Sequence, residues 1–181
     1  MSQLTKVLSF DPASVRNLGW SVIEIEADVS QNFVLKRVKC DAGTIVLPKV
    51  SEPWEAMWPI FVFVDTILLA QEPNLIIIEK TSSFAGGFVT GQVSNCIGVI
   101  LACCGKHEVP VSFVYPSHVK KVVTGNGRAV KSEMKKRVQQ LISDLSGGKT
   151  IKFDSEHACD ATANILCWLI EHDMLEEEEE E

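Results

Sequence analysis

Four residues of this chain have types and surroundings that suit metal-assisted chemistry: Asp11, Glu79, His157 and Asp160. Asp11 closes the apolar run "VLSF", and Glu79 closes "NLIII". A carboxylate at the end of an apolar strand is partly desolvated, which is costly unless it is paired or bound to a cation. Taken singly, either acid reads better as the first solvated residue past its strand. The third contribution comes from residues 153–173, "FDSEHACDATANILCWLIEHD", where a helix rich in Ala, Ile and Leu opens with acids and a histidine. Residues three and four apart share a helical face, so Glu156, His157 and Asp160 can act together. Asp154 or Ser155 suits the N-cap, and acids in the first turn complement the helix dipole. Capping leaves Asp160 unexplained, because it lies beyond that turn, between Cys159 and Ala161. Asp11, Glu79 and Asp160, with His157 beside them, form an oxygen-rich donor set with one imidazole. Such a set suits Mg²⁺ or Mn²⁺ better than a closed zinc site. Two such ions about 4 Å apart can clamp the attacking and leaving oxygens of an in-line phosphoryl displacement. Glu156 remains an alternative to His157 as the fourth ligand.

The elements that must position these residues follow from hydrophobic periodicity. "TKVLSFD" reads as a buried strand ending at Asp11, and "LGWSVIEIEA" as an alternating second strand. "NFVLKRVKCDAGTIV" reads as a third strand, antiparallel to the second. "SEPWEAMWPIFVFVDTILLAQE" suits a helix capped by Ser51, with Pro59 forcing a kink or a late start. "PNLIIIEK" is a continuous apolar run, as in a central strand buried on both faces. "GQVSNCIGVILACCGKH" has helical length and a face of small residues, and "VPVSFVY" is a fifth strand. "SHVKKVV" reads as a short helical turn, and the loop "TGNGRA" leads into the helix "VKSEMKKRVQQLISDL". A strand meander followed by alternating strands and helices indicates an α/β fold of three layers. In open α/β sheets the crevice at the carboxyl ends of the strands binds ligands, which is where Asp11 and Glu79 fall.

Composition narrows the function classes. A chain of 181 residues suits one full core, and we expect a single domain over 1–175 followed by a disordered acidic tail, 176–181. The opening "MSQLTKVLSF" does not read as a secretory segment, and no apolar stretch reaches membrane-spanning length. Six cysteines without a secretion signal argue for free thiols in a reducing compartment, hence a cytoplasmic protein. None forms a C-x-x-C pair, which argues against a structural zinc, and most read as small core residues. The net charge of −7 is concentrated in the six terminal glutamates. Residues 116–137 carry seven basic side chains and one acid, the local basic footprint of a nucleic-acid binder, although a solvated helix face is as common. Two glycine motifs do not bind nucleotide: "GNGRAVKS" has Val130 where a phosphate loop needs glycine, and "GGKT" has Ser143 at the first glycine position. Trp54 and Trp58 read as a packing pair and Trp168 as core. His107 and His172 read as solvent-facing at helix ends, and His118 as part of the basic patch.

Four segments in order, "FDPASVRNLGW", "LIIIEKTSS", "VKKVVTGNGRAVKSEM" and "HACDATANIL", span nearly the whole chain. Together the chain resembles the RuvC Holliday-junction resolvases of the RNase H-like nuclease superfamily. The resemblance implies an RNase H-like fold, a five-stranded mixed sheet flanked by helices. It puts Asp11, Glu79, His157 and Asp160 on the family's four catalytic, metal-binding positions. The position of His157 is often an aspartate, so metal preference is expected to be altered. Lys120 and Lys131 fall on basic DNA-contacting positions. Lys121 and Arg128 join them, and Gly125 and Gly127 let the backbone approach a phosphate. After Glu79 the stretch "KTSSFAGGFVTGQ" is shorter than usual; of Phe84 and Phe88, Phe84 is our candidate for the aromatic that helps open a junction. The implied function is resolution of four-way DNA junctions by paired symmetric nicks. It is two-metal-ion hydrolysis, with Mg²⁺ or Mn²⁺, leaving 5′-phosphate and 3′-hydroxyl ends. A homodimer is implied, because the two nicked strands are related by near two-fold symmetry. The helix over 91–105 is the candidate dimer face. The rivals are the same chemistry on flaps or other branched DNA, and a non-catalytic junction binder. An actin-like ATPase or sugar kinase lacks its phosphate loops here.

Overall fold

The computed structural model describes residues 2–13, 16–28, 34–47, 51–80 and 87–175. Phe84 and the acidic tail lie outside the described residues. Five strands form one mixed sheet: β1 (Ser2–Asp11), β2 (Asn17–Asp28), β3 (Val34–Val46), β4 (Leu75–Glu79) and β5 (Val111–Val114), in the order β3-β2-β1-β4-β5. β1, β2 and β3 run antiparallel as a meander, while β4 and β5 join parallel to β1. Five helices accompany them: α1 (Met57–Gln71), α2 (Gly87–Lys106), α3 (Pro116–Thr124), α4 (Lys131–Leu145) and α5 (Glu156–Glu171).

Strand alternation divides the core into two layers. Val7 and Ile77 pack with α3, α4 and α5, whereas Leu8, Phe10, Ile76 and Ile78 pack with α1 and α2. Ile76, Ile77 and Ile78 are all fully buried, as a strand covered on both faces requires. Each contributes about 1.5–3 kcal/mol through removal from water. Among the described residues, no helix is long and apolar enough to cross a membrane. The six cysteines are free thiols, five of them buried.

Several local expectations are corrected. Ser51 does not cap a helix: a 3-10 turn over Pro53–Ala56 comes first, with Glu52 at its cap, and α1 starts late. Pro59 then falls in the first turn of α1, where its missing N–H breaks no bond. Trp54 and Trp58 are no packing pair; both are largely exposed, and Trp58 stacks on Phe61 at 5.5 Å. Trp168 sits at the core margin and stacks on His172. His107 is not solvent-facing, because its Nε2 lies 2.6 Å from Asp65 Oδ1 and Lys106 binds the same carboxylate. His118 leaves the basic patch to pair with Glu171 of α5. The segment "SHVKKVV" belongs to a full nine-residue helix, α3, which Gly125 ends at φ 75°, a left-handed conformation that favours glycine.

Candidate active site

The site is built on one rung of the sheet. Gly19 of β2 pairs with Asp11 of β1 on one side and with Thr44 of β3 on the other. The start of α5 lies over this rung. A Cβ at Gly19 would stand 2.2 Å from the His157 carbonyl oxygen, so only glycine lets α5 come down here. Over Thr44, the Asp154 carboxylate accepts hydrogen bonds from the Thr44 amide and hydroxyl, both at 3.0 Å. Ser155 caps the helix by accepting from the Ala158 amide at 3.1 Å, and its hydroxyl also meets that of Thr44. The chain is therefore clamped to the sheet immediately before the residues that face Asp11.

His157 Nδ1 lies 2.9 Å from Asp11 Oδ2, and Asp11 is buried. Ligand atoms of Asp11, His157 and Asp160 all fall within 4.8 Å of one another. Phe10 pairs with Ile78 in the parallel β1–β4 ladder, so Glu79 ends its strand at the level of Asp11. Glu79 and Asp160 line one cleft of about 190 Å³, together with Lys120, Lys131, Val119 and Met134. The structure thus brings the four acid and imidazole side chains to one place. The Glu156 carboxylate is exposed and ion-paired with Lys131, and it is not among the donors that converge on Asp11.

The electrostatics of the cluster are those of crowded, poorly hydrated carboxylates. Burial, then the charges of Asp11 and Asp160, push Glu79 up to about 8, opposed by Lys120. Burial and Asp11 push Asp160 up to about 6, opposed by Lys131 and His157. The hydrogen bond to Asp11 holds the His157 imidazolium above its ordinary range. The Lys131 ammonium beside Glu156 lowers that carboxyl and is itself raised. A divalent cation would relieve the mutual repulsion of these acids, and hard oxygen donors with one imidazole suit Mg²⁺ or Mn²⁺. The residues present therefore fit a metal centre.

The basic residues expected at DNA divide into two groups. Lys120 and Lys131 reach the cleft. Lys121 and Arg128 are exposed on α3 and on the glycine loop beyond it. Gly127 packs closely there, with a Cβ position 3.4 Å from the Ser117 carbonyl oxygen. Beyond that loop a second cavity, about 350 Å³, is lined by Thr124, Asn126, Lys136 and Arg137 among others. Phe88 is the second residue of α2. Sequence reasoning missed Lys80, whose Nζ lies 4.8 Å from the Tyr115 ring centre and 5.3 Å from that of Phe113, beside Glu79. It also missed the roles of Gly19 and Thr44. No spacing signal identifies Gly19 and Thr44, because cross-strand pairing brings both to the site.

A 3-2-1-4-5 mixed sheet with acids at the ends of two central strands and on a closing helix defines an RNase H-like nuclease fold. The comparisons specify the branch. The family model "Crossover junction endodeoxyribonuclease RuvC" matches residues 7–168. The RuvC of Gloeobacter violaceus is 30% identical over 92% of this chain and 89% of its own. That of Hydrogenovibrio crunogenus is 28% identical over 92% and 88%. Among solved structures, Thermus thermophilus RuvC in complex with Holliday junction substrate aligns with TM-score 0.76 at 20% identity, covering 94% of this chain and 96% of that one. The yeast mitochondrial Holliday junction resolvase Ydc2 aligns with TM-score 0.57 at 14% identity, covering 94% and 80%. The chain belongs to the RuvC family of crossover junction endodeoxyribonucleases and is a nuclease. Nucleases of this family are metal dependent.

Proposed function

We propose that this protein resolves four-way DNA junctions by paired nicks, with Asp11, Glu79, His157 and Asp160 holding two Mg²⁺ or Mn²⁺ ions. The observation that carries the assignment is the convergence of Asp11, His157 and Asp160 donors within 4.8 Å, with Glu79 sharing the cleft of Asp160. When bound, the ions supply Lewis-acid stabilisation of the phosphate charge and a nucleophile at neutral pH. The chain's own residues do the rest. Asp11 and Glu79 fix two ligand positions on rigid strands, and α5 presents His157 and Asp160 against them. Lys120 and Lys131 hold the scissile strand's phosphates at the cleft. Lys121, Arg128 and the glycines at 125 and 127 engage the backbone beyond it, and Phe84 is the proposed base-contacting aromatic. The products are 5′-phosphate and 3′-hydroxyl ends. We infer one nuclease domain over 1–175 and action in the reducing interior where DNA is recombined.

Paired nicking requires two sites, and the α2 face is proposed as the homodimer contact. Gly91, Gly98 and Gly105 recur every seven residues on its exposed side, and a Cβ at any of them would meet nothing within 4 Å. Each glycine costs a helix about 1 kcal/mol relative to alanine, and no packing among the described residues explains it. Close approach by a second α2 does. Exposed Trp58, Val62 and Leu69 of the neighbouring α1 extend the patch.

The deciding experiment incubates the protein with a mobile four-way junction, a flap and a linear duplex, with Mg²⁺ or Mn²⁺, beside Asp11→Asn. Symmetric junction nicks, lost in the variant, are expected. Equal or better cutting of the flap would replace the resolvase reading with a general branched-DNA nuclease. Binding without cutting would make the protein a junction-binding factor.

A further inference from the structure

Away from the acidic cleft, α3 and α5 bring a nitrogen, a sulfur and an oxygen donor together. His118 Nε2 lies 2.6 Å from Glu171 Oε1, and Cys167 Sγ lies 3.7 Å from Glu171 Oε2. One ligand atom from each of the three lies within 4.8 Å of the other two. Cys167 and Glu171 stand one helical turn apart, so they share a face, and His118 reaches them from the facing helix. The imidazole and carboxylate are partly exposed and the cysteine is buried, so the thiol forms a floor beneath an open rim.

We propose that His118, Cys167 and Glu171 form a second metal site, which takes one borderline-soft divalent ion such as Zn²⁺ with water in the fourth position. Bond lengths of about 2.3 Å to sulfur and 2.0–2.2 Å to nitrogen and oxygen place a tetrahedral sulfur and oxygen roughly 3.5–3.7 Å apart, and a nitrogen and oxygen roughly 3.3–3.6 Å apart. The sulfur–oxygen separation already matches. The His118–Glu171 contact must open by less than about 1 Å, and the ion takes the place of their hydrogen bond. On binding, the Cys167 thiol gives its proton to solvent as the sulfur–metal bond forms, and the carboxylate and neutral imidazole donate lone pairs. Without an ion the thiol stays protonated, because burial and Glu171 push it up to about 12.

The donor set separates this site from the catalytic one. A thiolate disfavours Mg²⁺ and selects zinc-class ions, whereas the acidic cleft offers mainly oxygen. The absence of a C-x-x-C pair excludes a closed cysteine-rich site, and this open site needs none. The ion would tie α3, which carries Lys120, to α5, which carries Asp160, and so fix two walls of the cleft.

Co²⁺ serves as the probe on the full chain after stripping with chelator. One equivalent should give the near-ultraviolet sulfur-to-cobalt charge-transfer band, retained in Asp160→Asn and abolished in Cys167→Ser. Absence of the band in the parent protein, or its survival in Cys167→Ser, would overturn the proposal. Because Cys167 is buried, His118→Ala provides a second reading that does not disturb the core. In the Asp160→Asn background, competition with a chromophoric chelator should show Zn²⁺ affinity at least about tenfold weaker. Unchanged affinity there also overturns it.

Discussion

At the scale of single residues, the site depends on one position that carries no side chain. Gly19 is where β2 lets α5 onto the sheet, and its missing Cβ is the room that the His157 backbone occupies. In Gly19→Ala the added Cβ meets backbone atoms of His157, which cannot swing aside, so the start of α5 must lift away from Asp11. A misplacement of about 1 Å at a reacting centre costs on the order of 100-fold in rate. We expect junction cleavage to fall by about that factor, with destabilisation of about 1–3 kcal/mol from overpacking. Junction binding without metal should persist, because Lys120 and Lys131 do not depend on the rung. Cleavage at the parental rate would mean that Gly19 does not position α5. A second comparison separates neighbours: Glu156→Ala should keep most activity, since Glu156 faces Lys131, whereas His157→Ala should lose at least about 100-fold. Rate measurements at saturating metal decide it, and the reverse order would return the fourth ligand to Glu156. Asp11 and Glu79 were legible because each interrupts an apolar run at its end. Gly19 and Thr44 were not, because their importance lies in a cross-strand register that no spacing in the chain records.

At the scale of elements, α1 and α2 are joined by a polar contact in an otherwise apolar layer. Asp65 of α1 receives Lys106 Nζ at 2.8 Å and meets His107 at 2.6 Å. These partners hold the Asp65 carboxyl below its ordinary range. A depressed carboxyl stabilises the fold fully above its unfolded value, near about pH 4, and that contribution is lost as pH falls through the folded value. Urea midpoints of the parent protein and Asp65→Asn should therefore differ most at pH 5–7 and converge below about pH 4. A gap that persists at low pH would mean that packing, not charge, is what the substitution removed. The element order was readable from periodicity, since buried and half-buried strands differ in pattern. His107, His118, Trp54 and Trp58 were misread. The two histidine environments depend on which helix lies opposite, as with His107 against Asp65 and His118 against Glu171, whereas Trp58 stacks on Phe61 of its own helix, α1.

At the scale of the whole molecule, the proposed dimer contact on α2 sets the prediction for whether one protomer or two act on a junction. Gly98→Phe should convert a dimer to a monomer in sedimentation and replace paired nicks by isolated ones. Gly98→Ala should instead stabilise an exposed helix by about 1 kcal/mol, unless a partner backbone already fills that space. A monomeric parent protein, or a Gly98→Phe dimer, would move the contact elsewhere. The site itself joins residues 146 positions apart, Asp11 from the first strand and His157 from the last helix. Contacts of such separation close a long loop and slow folding. A ribosome reaches α5 only after every strand has been made, so a nascent or truncated chain lacking that helix has lone carboxylates and no assembled centre. The proposed metal centre is thus incomplete until synthesis has passed the last element.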